Sequence, residues 1–128
     1  MKIDAVALAS SNLEKTIAFY TLLGFDFPEL EEGQSHVEPH TPPGSARLMI
    51  DTKDLITEII GETPQPGNHS GFAVRYDVPA EVDEVCRKLA QAGFDVVKGP
   101  WDAFWGQRYA IAADPDGYKV DLYAPLSA

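Results

Sequence analysis

The sequence predicts an α+β fold in which two βαβββ modules form a curved mixed sheet around a cleft. Three observations support this prediction. The chain has 128 residues, a length typical of one domain. Each half is patterned as a strand, a helix and then several strands, and a helical pattern followed by Gly-Phe-Asp occurs twice, at 24–26 and 93–95. Such a repeat indicates duplication, so we predict a single domain over residues 1–128 with half-modules of about 1–60 and 68–128.

The first half opens with an apolar strand predicted over residues 3–9. Ser11, with Glu14 three residues later, is typical of a capping box that begins a helix. Gly24 ends that helix. Its apolar stripe is expected to pack on a sheet and consists of Leu13, Ile17, Tyr20 and Leu23. The remaining predictions for this half are a strand beginning at 25–27, a mobile loop with strand edges over 28–46, a strand over 47–51 and a connection over 52–69.

The second half repeats this order. A strand is predicted over 71–76, and Pro79 suits the first turn of the helix that follows. Cys86 lies on the apolar stripe of that helix, beside Val82, Val85 and Leu89. This position favours a core residue over a nucleophile, and because Cys86 is the single cysteine, no intramolecular disulfide can form. Further strands are predicted over 94–97, 107–112 and 118–123, the last two joined by a tight turn over 114–117.

Charge and hydropathy limit the classes of partner. The formal net charge of −10 repels a phosphate backbone, so we expect no nucleic acid partner. No apolar run approaches the roughly 20 residues that span a bilayer, and we expect no membrane partner. The first residues lack the pattern of a secretory signal, so a cytoplasmic location is predicted.

Two segments carry a family resemblance. The sequence SNLEKTIAFY over 11–20, followed by Leu-Gly-Phe over 23–25, resembles the first helix of the vicinal-oxygen-chelate superfamily, the group of glyoxalases, bleomycin-resistance proteins and extradiol dioxygenases. The stretches over 105–109, 114–117 and 120–123 resemble the second half of the same group. The segment that begins with residues 100–111 and extends through 124–126 is similar to the mitomycin-binding branch of this group. That resemblance implies sequestration of a drug without chemical change, and a homodimer whose pockets are shared between chains.

The resemblance also supplies a test for a metal site. Enzymes of this superfamily hold a divalent metal with His, Gln or Glu, and the matching positions here are Ala5, Gly71 and Asp121. Ala5 and Gly71 carry no side-chain donor, and Asp121 is one methylene shorter than the usual glutamate, so we predict no metal and no cofactor. A register shift of two residues keeps a side chain on the same face of a sheet and would allow His69 to act as a ligand.

The aromatic residues near position 100 predict a ligand site. Trp101, Phe104 and Trp105 lie in a stretch without a regular apolar pattern. They either plug the open end of the sheet or stack on a flat ligand. Trp105 matches a stacking tryptophan of the bleomycin-resistance branch. Candidates for the floor and walls are Met49, Phe72, Tyr109 and Tyr123; candidates for polar contacts and closure are Asp51, Arg108, His36 and His40.

Two of these assignments have alternatives. Arg108 is equally compatible with a structural ion pair, and His36 and His40 with solvated or rim positions. The leading functional hypothesis is a non-catalytic protein that binds and sequesters a planar or polycyclic antibiotic-like compound and so confers resistance. The alternatives are a metal-dependent lyase, isomerase or dioxygenase with relocated ligands such as His69 and Asp121, and a pocket kept only as a dimer scaffold.

Overall fold

The computed structural model describes residues 1–67 and 71–127. The chain divides into two compact units, Met1–Pro66 and Gly67–Ala128. Each unit contains helix and a mixed sheet, so the predicted α+β class is confirmed. None of the helices in this part of the chain has the length and apolar character needed to cross a membrane.

The first unit has a three-stranded sheet in the order β1-β3-β2. Strands β1 and β3 are parallel, whereas β2 and β3 are antiparallel. The elements of this unit are β1 (Ala5–Ser10), α1 (Leu13–Leu23), β2 (His36–Val37), β3 (Arg47–Thr52) and α2 (Lys53–Ile60).

Helix α1 begins one residue later than the capping-box pattern predicts. Its N-cap is Asn12, whose extended backbone lets the side-chain Oδ1 accept a hydrogen bond from the Lys15 N–H at 3.2 Å. The buried face of the helix is Leu13, Thr16, Phe19, Tyr20 and Leu23, so Thr16 and Phe19 join the predicted stripe and Ile17 is only half-buried. The buried Thr16 hydroxyl lies 2.6 Å from the Ser10 hydroxyl, which ties the helix to the end of β1.

Two predictions for the first unit are wrong. Residues 25–27 form no strand. The Asp26 carbonyl accepts a hydrogen bond from the His40 N–H, which connects this stretch to the segment that follows it. The connection predicted over 52–69 begins with a helix, α2, because the Thr52 hydroxyl accepts from the Leu55 N–H and caps its first turn.

The second unit has the predicted βαβββ order. Its four-stranded sheet runs β4-β7-β6-β5, with β4 and β7 parallel and the other pairs antiparallel. Pro79 begins its helix, as predicted, and the Glu81 carboxylate accepts from the Val78 N–H just before it. The elements are β4 (Phe72–Arg75), α3 (Pro79–Gln91), β5 (Asp95–Ala103), β6 (Gln107–Ala113) and β7 (Lys119–Pro125).

The Gly-Phe-Asp repeat corresponds to a repeated helix end. Gly24 and Gly93 both have positive φ, at 114° and 83°. The following phenylalanine N–H donates in each case to a carbonyl of the last helical turn, Phe25 to Tyr20 at 3.1 Å and Phe94 to Leu89 at 2.9 Å. The two sequence repeats therefore end their helices by the same left-handed turn.

The second sheet has two chemically different faces. One packs on α3 and buries small and aliphatic side chains, among them Ala110, Ala112, Val120, Leu122 and Ala124. Side chains alternate along a strand, so the intervening residues Tyr109, Ile111, Asp121 and Tyr123 lie on the other face, which we call the aromatic face. Cys86, on α3, is buried, and burial raises the pKa of its thiol to about 11, which suits a core residue.

Candidate functional site

An aromatic row crosses three adjacent strands on the aromatic face. Trp101 on β5 is the register partner of Tyr109 on β6, and Tyr109 is the partner of Tyr123 on β7. The rings of Trp101 and Tyr109 have centroids 5.5 Å apart, and those of Tyr109 and Tyr123 are stacked at 5.9 Å with an interplanar angle of 21°. Hydrogen-bonded backbone therefore fixes the spacing of the three rings.

Trp105 extends this row from the turn between β5 and β6. Its ring is edge-on to both Trp101, at 6.2 Å, and Tyr109, at 5.3 Å, and its indole N–H donates to Gln107 Oε1 at 2.9 Å. Trp105 is nevertheless 49% exposed, and the adjacent Phe104 is 96% exposed. Trp101 lies within β5 rather than in a loop, and Phe104 and Trp105 occupy the turn together with Gly106.

A tyrosine–carboxylate pair lies beside the row. The Tyr109 hydroxyl donates to Asp121 Oδ2 at 2.5 Å. Burial, followed by this hydrogen bond, raises the pKa of Tyr109 to about 12, because a phenolate here would be desolvated and would face the carboxylate. The hydroxyl therefore stays protonated at neutral pH and holds Asp121 in place.

Two basic side chains border the row, and neither was among the predicted site residues. The Lys98 ammonium lies 4.1 Å from the centroid of the Trp101 ring, a cation–π contact. Arg75 on β4 is the register partner of Tyr123 and is exposed. Alternation along β4 could have indicated Arg75, because Phe72 and Val74 are its apolar residues and leave Arg75 on the opposite face.

His36 and Asp51 belong to a polar network in the first unit. His36 Nδ1 lies 2.5 Å from Asp51 Oδ1, and its Nε2 lies 2.7 Å from Glu38 Oε2. Arg47 continues the network, donating to Glu38 at 2.9 Å and to Asp4 at 2.8 Å. The hydrogen bonds to Asp51 and then Glu38 raise the pKa of His36 above its ordinary value of 6.5, because only the imidazolium donates to both carboxylates.

This network predicts a pH-dependent stability. His36 is protonated more readily in the folded than in the unfolded chain. Its contribution to the free energy of unfolding is therefore complete below pH 6.5 and disappears as the pH rises through the raised folded-state pKa. We expect His36→Gln to lower the urea midpoint more at about pH 6 than at about pH 8.5. An equal decrease of the urea midpoint at both pH values would contradict a stabilising bridge between the His36 imidazolium and the two carboxylates.

The other predicted site residues are distributed over both units. Met49 lies in β3 and is half-buried, whereas His40 is exposed and its backbone N–H bonds to Asp26. Phe72 is the register partner of Val120, which places it on the α3 face of the second sheet rather than in the floor of the aromatic face.

Arg108 also lies on the α3 face. Its register partner is the buried Ala124, its Nε donates to Asp83 on α3 at 3.0 Å, and its Nη1 donates to Asp102 on β5 at 3.0 Å. The structure thus shows the ion-pair arrangement, which was one of the two alternatives for this residue. Arg108 ties the helix to the sheet from the side opposite the aromatic row.

The positions that the family resemblance gives to metal ligands do not fit a metal. Ala5 and Gly71 offer no donor, and a Cβ at Gly71 would lie 3.1 Å from the Lys119 carbonyl oxygen, so a larger side chain would be crowded there. Within residues 1–67 and 71–127, no three His, Cys, Asp or Glu side chains are grouped so that they could hold a metal ion. His69, the alternative ligand, lies outside the described residues.

Comparisons with known proteins identify the family. Residues 2–122 match the model of the Glyoxalase/Bleomycin resistance protein/Dioxygenase superfamily. The chain is 29% identical over 98 residues to the glyoxalase domain-containing protein RDO1 of Mycosarcoma maydis, covering 77% of this chain and 52% of that protein. It therefore spans about half the length of this fungal relative. An uncharacterized protein of Mycolicibacterium smegmatis is 26% identical over 125 residues, which cover 98% of this chain and 95% of that protein.

Solved structures show the same fold. A glyoxalase-related enzyme from Fulvimarina pelagi superposes with a TM-score of 0.81 at 18% identity, covering 96% of this chain and 87% of the enzyme. At this identity the likeness concerns the fold alone. With the family model matching residues 2–122, the conclusion is that the chain belongs to the Glyoxalase/Bleomycin resistance protein/Dioxygenase superfamily.

Proposed function

We propose that this protein binds a planar or polycyclic antibiotic-like small molecule on the aromatic face of its second unit and sequesters it without chemical change, thereby conferring resistance. The observation that carries the proposal is the cluster of Trp101, Trp105, Tyr109 and Tyr123, whose neighbouring rings have centroids 5.3–6.2 Å apart. The resemblance to the mitomycin-binding branch supports the same conclusion.

Exposure favours stacking over a plugging role. A tryptophan that served only to close the end of a sheet would gain most from complete burial, since a large aromatic ring removes about 150–250 Å² from water. Trp105 is instead 49% exposed while its indole N–H is already bonded to Gln107. The ring is therefore held in one orientation and keeps apolar surface that a flat ligand would cover.

The surrounding groups favour binding without catalysis. The Tyr109 hydroxyl donates to Asp121, and its raised pKa leaves almost no phenolate at neutral pH to act as a base. Ala5 and Gly71 provide no metal ligand. As further parts of the proposal, the protein is cytoplasmic and forms a homodimer that shares its pockets between chains; native mass spectrometry of the purified protein tests the dimer.

The experiment that tests this proposal is calorimetric titration of the purified protein with mitomycin C, bleomycin and an enediyne. We expect one of these compounds to bind with micromolar or tighter affinity and to be recovered unchanged by mass spectrometry. Trp105→Ala should weaken that binding by roughly 30-fold, which corresponds to about 2 kcal/mol for a central aromatic contact.

A matched control is Ile59→Ala, which truncates an apolar side chain that is 66% exposed on α2 of the first unit. It should leave the affinity unchanged. If none of the three compounds binds, or if Trp105→Ala binds as tightly as the unaltered protein, the aromatic face is not the drug site. Recovery of a chemically altered compound would show that the protein catalyses a reaction rather than sequestering the compound.

A further inference from the structure

The aromatic row ends in an arginine. The register pairs Trp101 with Tyr109, Tyr109 with Tyr123, and Tyr123 with Arg75, so four side chains lie on one line across four adjacent strands. Neighbouring strands are about 4.8 Å apart. A flat molecule in contact with Tyr109 and Tyr123 would therefore bring its edge within reach of the Arg75 guanidinium.

Arg75 differs from the other arginines of the chain. Arg47, Arg87 and Arg108 each form an ion pair with a carboxylate. Arg75 forms none with any residue in 1–67 or 71–127, although the chain carries 20 acidic residues and 10 basic ones. Asp121 lies on the same face of β7 as Tyr123, but its carboxylate is bonded to Tyr109 rather than to Arg75. The guanidinium is thus available to an external acceptor.

The opposite end of the row also carries a positive charge. The Lys98 ammonium lies over the Trp101 ring at 4.1 Å. Lys98 and Arg75 thus place a cation at each end of the row, and the Asp121 carboxylate on the same face is already bonded to Tyr109, although the chain as a whole has a net charge of −10. This local charge favours a ligand that is negatively charged at its edge.

We propose that the ligand of the aromatic face is a planar aromatic acid, whose carboxylate is bound by Arg75 while its rings contact those of Tyr123 and Tyr109. The inference rests on the proposed function and narrows it to one chemical class. The physical reason is that a guanidinium presents two parallel N–H donors that match a carboxylate, and such charge-assisted pairs are stronger than neutral ones.

The experiment compares three probes of similar size: 2-naphthoate, its neutral amide 2-naphthamide, and the cation N-methylquinolinium. Calorimetry on the full chain should show 2-naphthoate binding roughly tenfold more tightly than 2-naphthamide. Arg75→Gln should abolish this preference and leave the affinity for 2-naphthamide unchanged. Arg75→Lys should restore part of it, because lysine keeps the charge and loses the two-donor fork.

Arg87→Gln is the matched control, since Arg87 is exposed on α3 and pairs with Glu84; it should leave the preference intact. An undiminished preference in Arg75→Gln, equal affinity for acid and amide in the unaltered protein, or tightest binding of N-methylquinolinium would each overturn the inference. If Trp105→Ala weakens the binding of 2-naphthamide but the charge of the probe does not change its affinity, only this inference fails. If no probe binds, this inference fails, whereas the proposed function is decided by the titration with mitomycin C, bleomycin and the enediyne.

Discussion

Replacing Phe19 by alanine is expected to lower the free energy of unfolding by about 3–5 kcal/mol. Phe19 is fully buried, and its ring meets Tyr20 edge-on with centroids 4.9 Å apart. The truncation removes apolar contacts and leaves a cavity that the packed helix α1 cannot close by small shifts. Urea unfolding, followed by circular dichroism, measures the change.

Phe104→Ala is the control, because it makes the same chemical change at a residue that is 96% exposed. Its effect should stay within about 0.5 kcal/mol. Phe19→Leu, which retains most of the apolar volume, should fall between the two and keeps the test informative if the alanine variant does not fold. Equal losses for Phe19→Ala and Phe104→Ala would contradict the burial of Phe19.

Replacing Asp114 by alanine is expected to cost about 2–3 kcal/mol. Asp114 is 4% exposed and lies in the turn between β6 and β7. Its Oδ1 accepts hydrogen bonds from the Asp116 N–H at 2.9 Å and the Tyr118 N–H at 3.0 Å. Alanine would leave both donors without this acceptor, and the turn that aligns the two strands would be weakened.

Asp114→Asn keeps an oxygen acceptor and should lose less than half as much stability as the alanine variant in the same urea titration. Asp95→Ala, at an exposed carboxylate where β5 begins, should change the midpoint little. If Asp114→Asn and Asp114→Ala are equally destabilised, the charge rather than the acceptor geometry holds the turn.

Most of the fold could be predicted from the sequence because its signals are local. Gly24 and Gly93 end helices, and the apolar stripe of α3 shows helical spacing. The strand predicted at residues 25–27 was wrong because a short alternating stretch such as Phe-Asp-Phe does not form a strand without a partner that completes its hydrogen bonds. Helix α2 was missed because it is short and its signals lie among prolines and glycines.

The candidate site was less predictable, since it depends on strand register. The sequence predicted Trp101, Trp105, Tyr109 and Tyr123 as ligand-site residues, but it did not show that three of them lie on one line. It also placed Phe72 in the ligand site, and Arg108 either there or in an ion pair, although both lie on the α3 face. Which face a residue occupies changes with a shift of one position, and only the pairing with a neighbouring strand determines it.

The line of register partners separates the side chains that the proposed ligand would contact from the interactions that fix their spacing. Positions 75, 101, 109 and 123 are spaced by main-chain pairing, and cross-strand contacts between their side chains add only about 0.2–1 kcal/mol each. A substitution at any one of them would change the chemical groups on the aromatic face while the strand pairing is retained. Substitutions in the row are therefore expected to change what the aromatic face can bind more than they change the stability of the second unit.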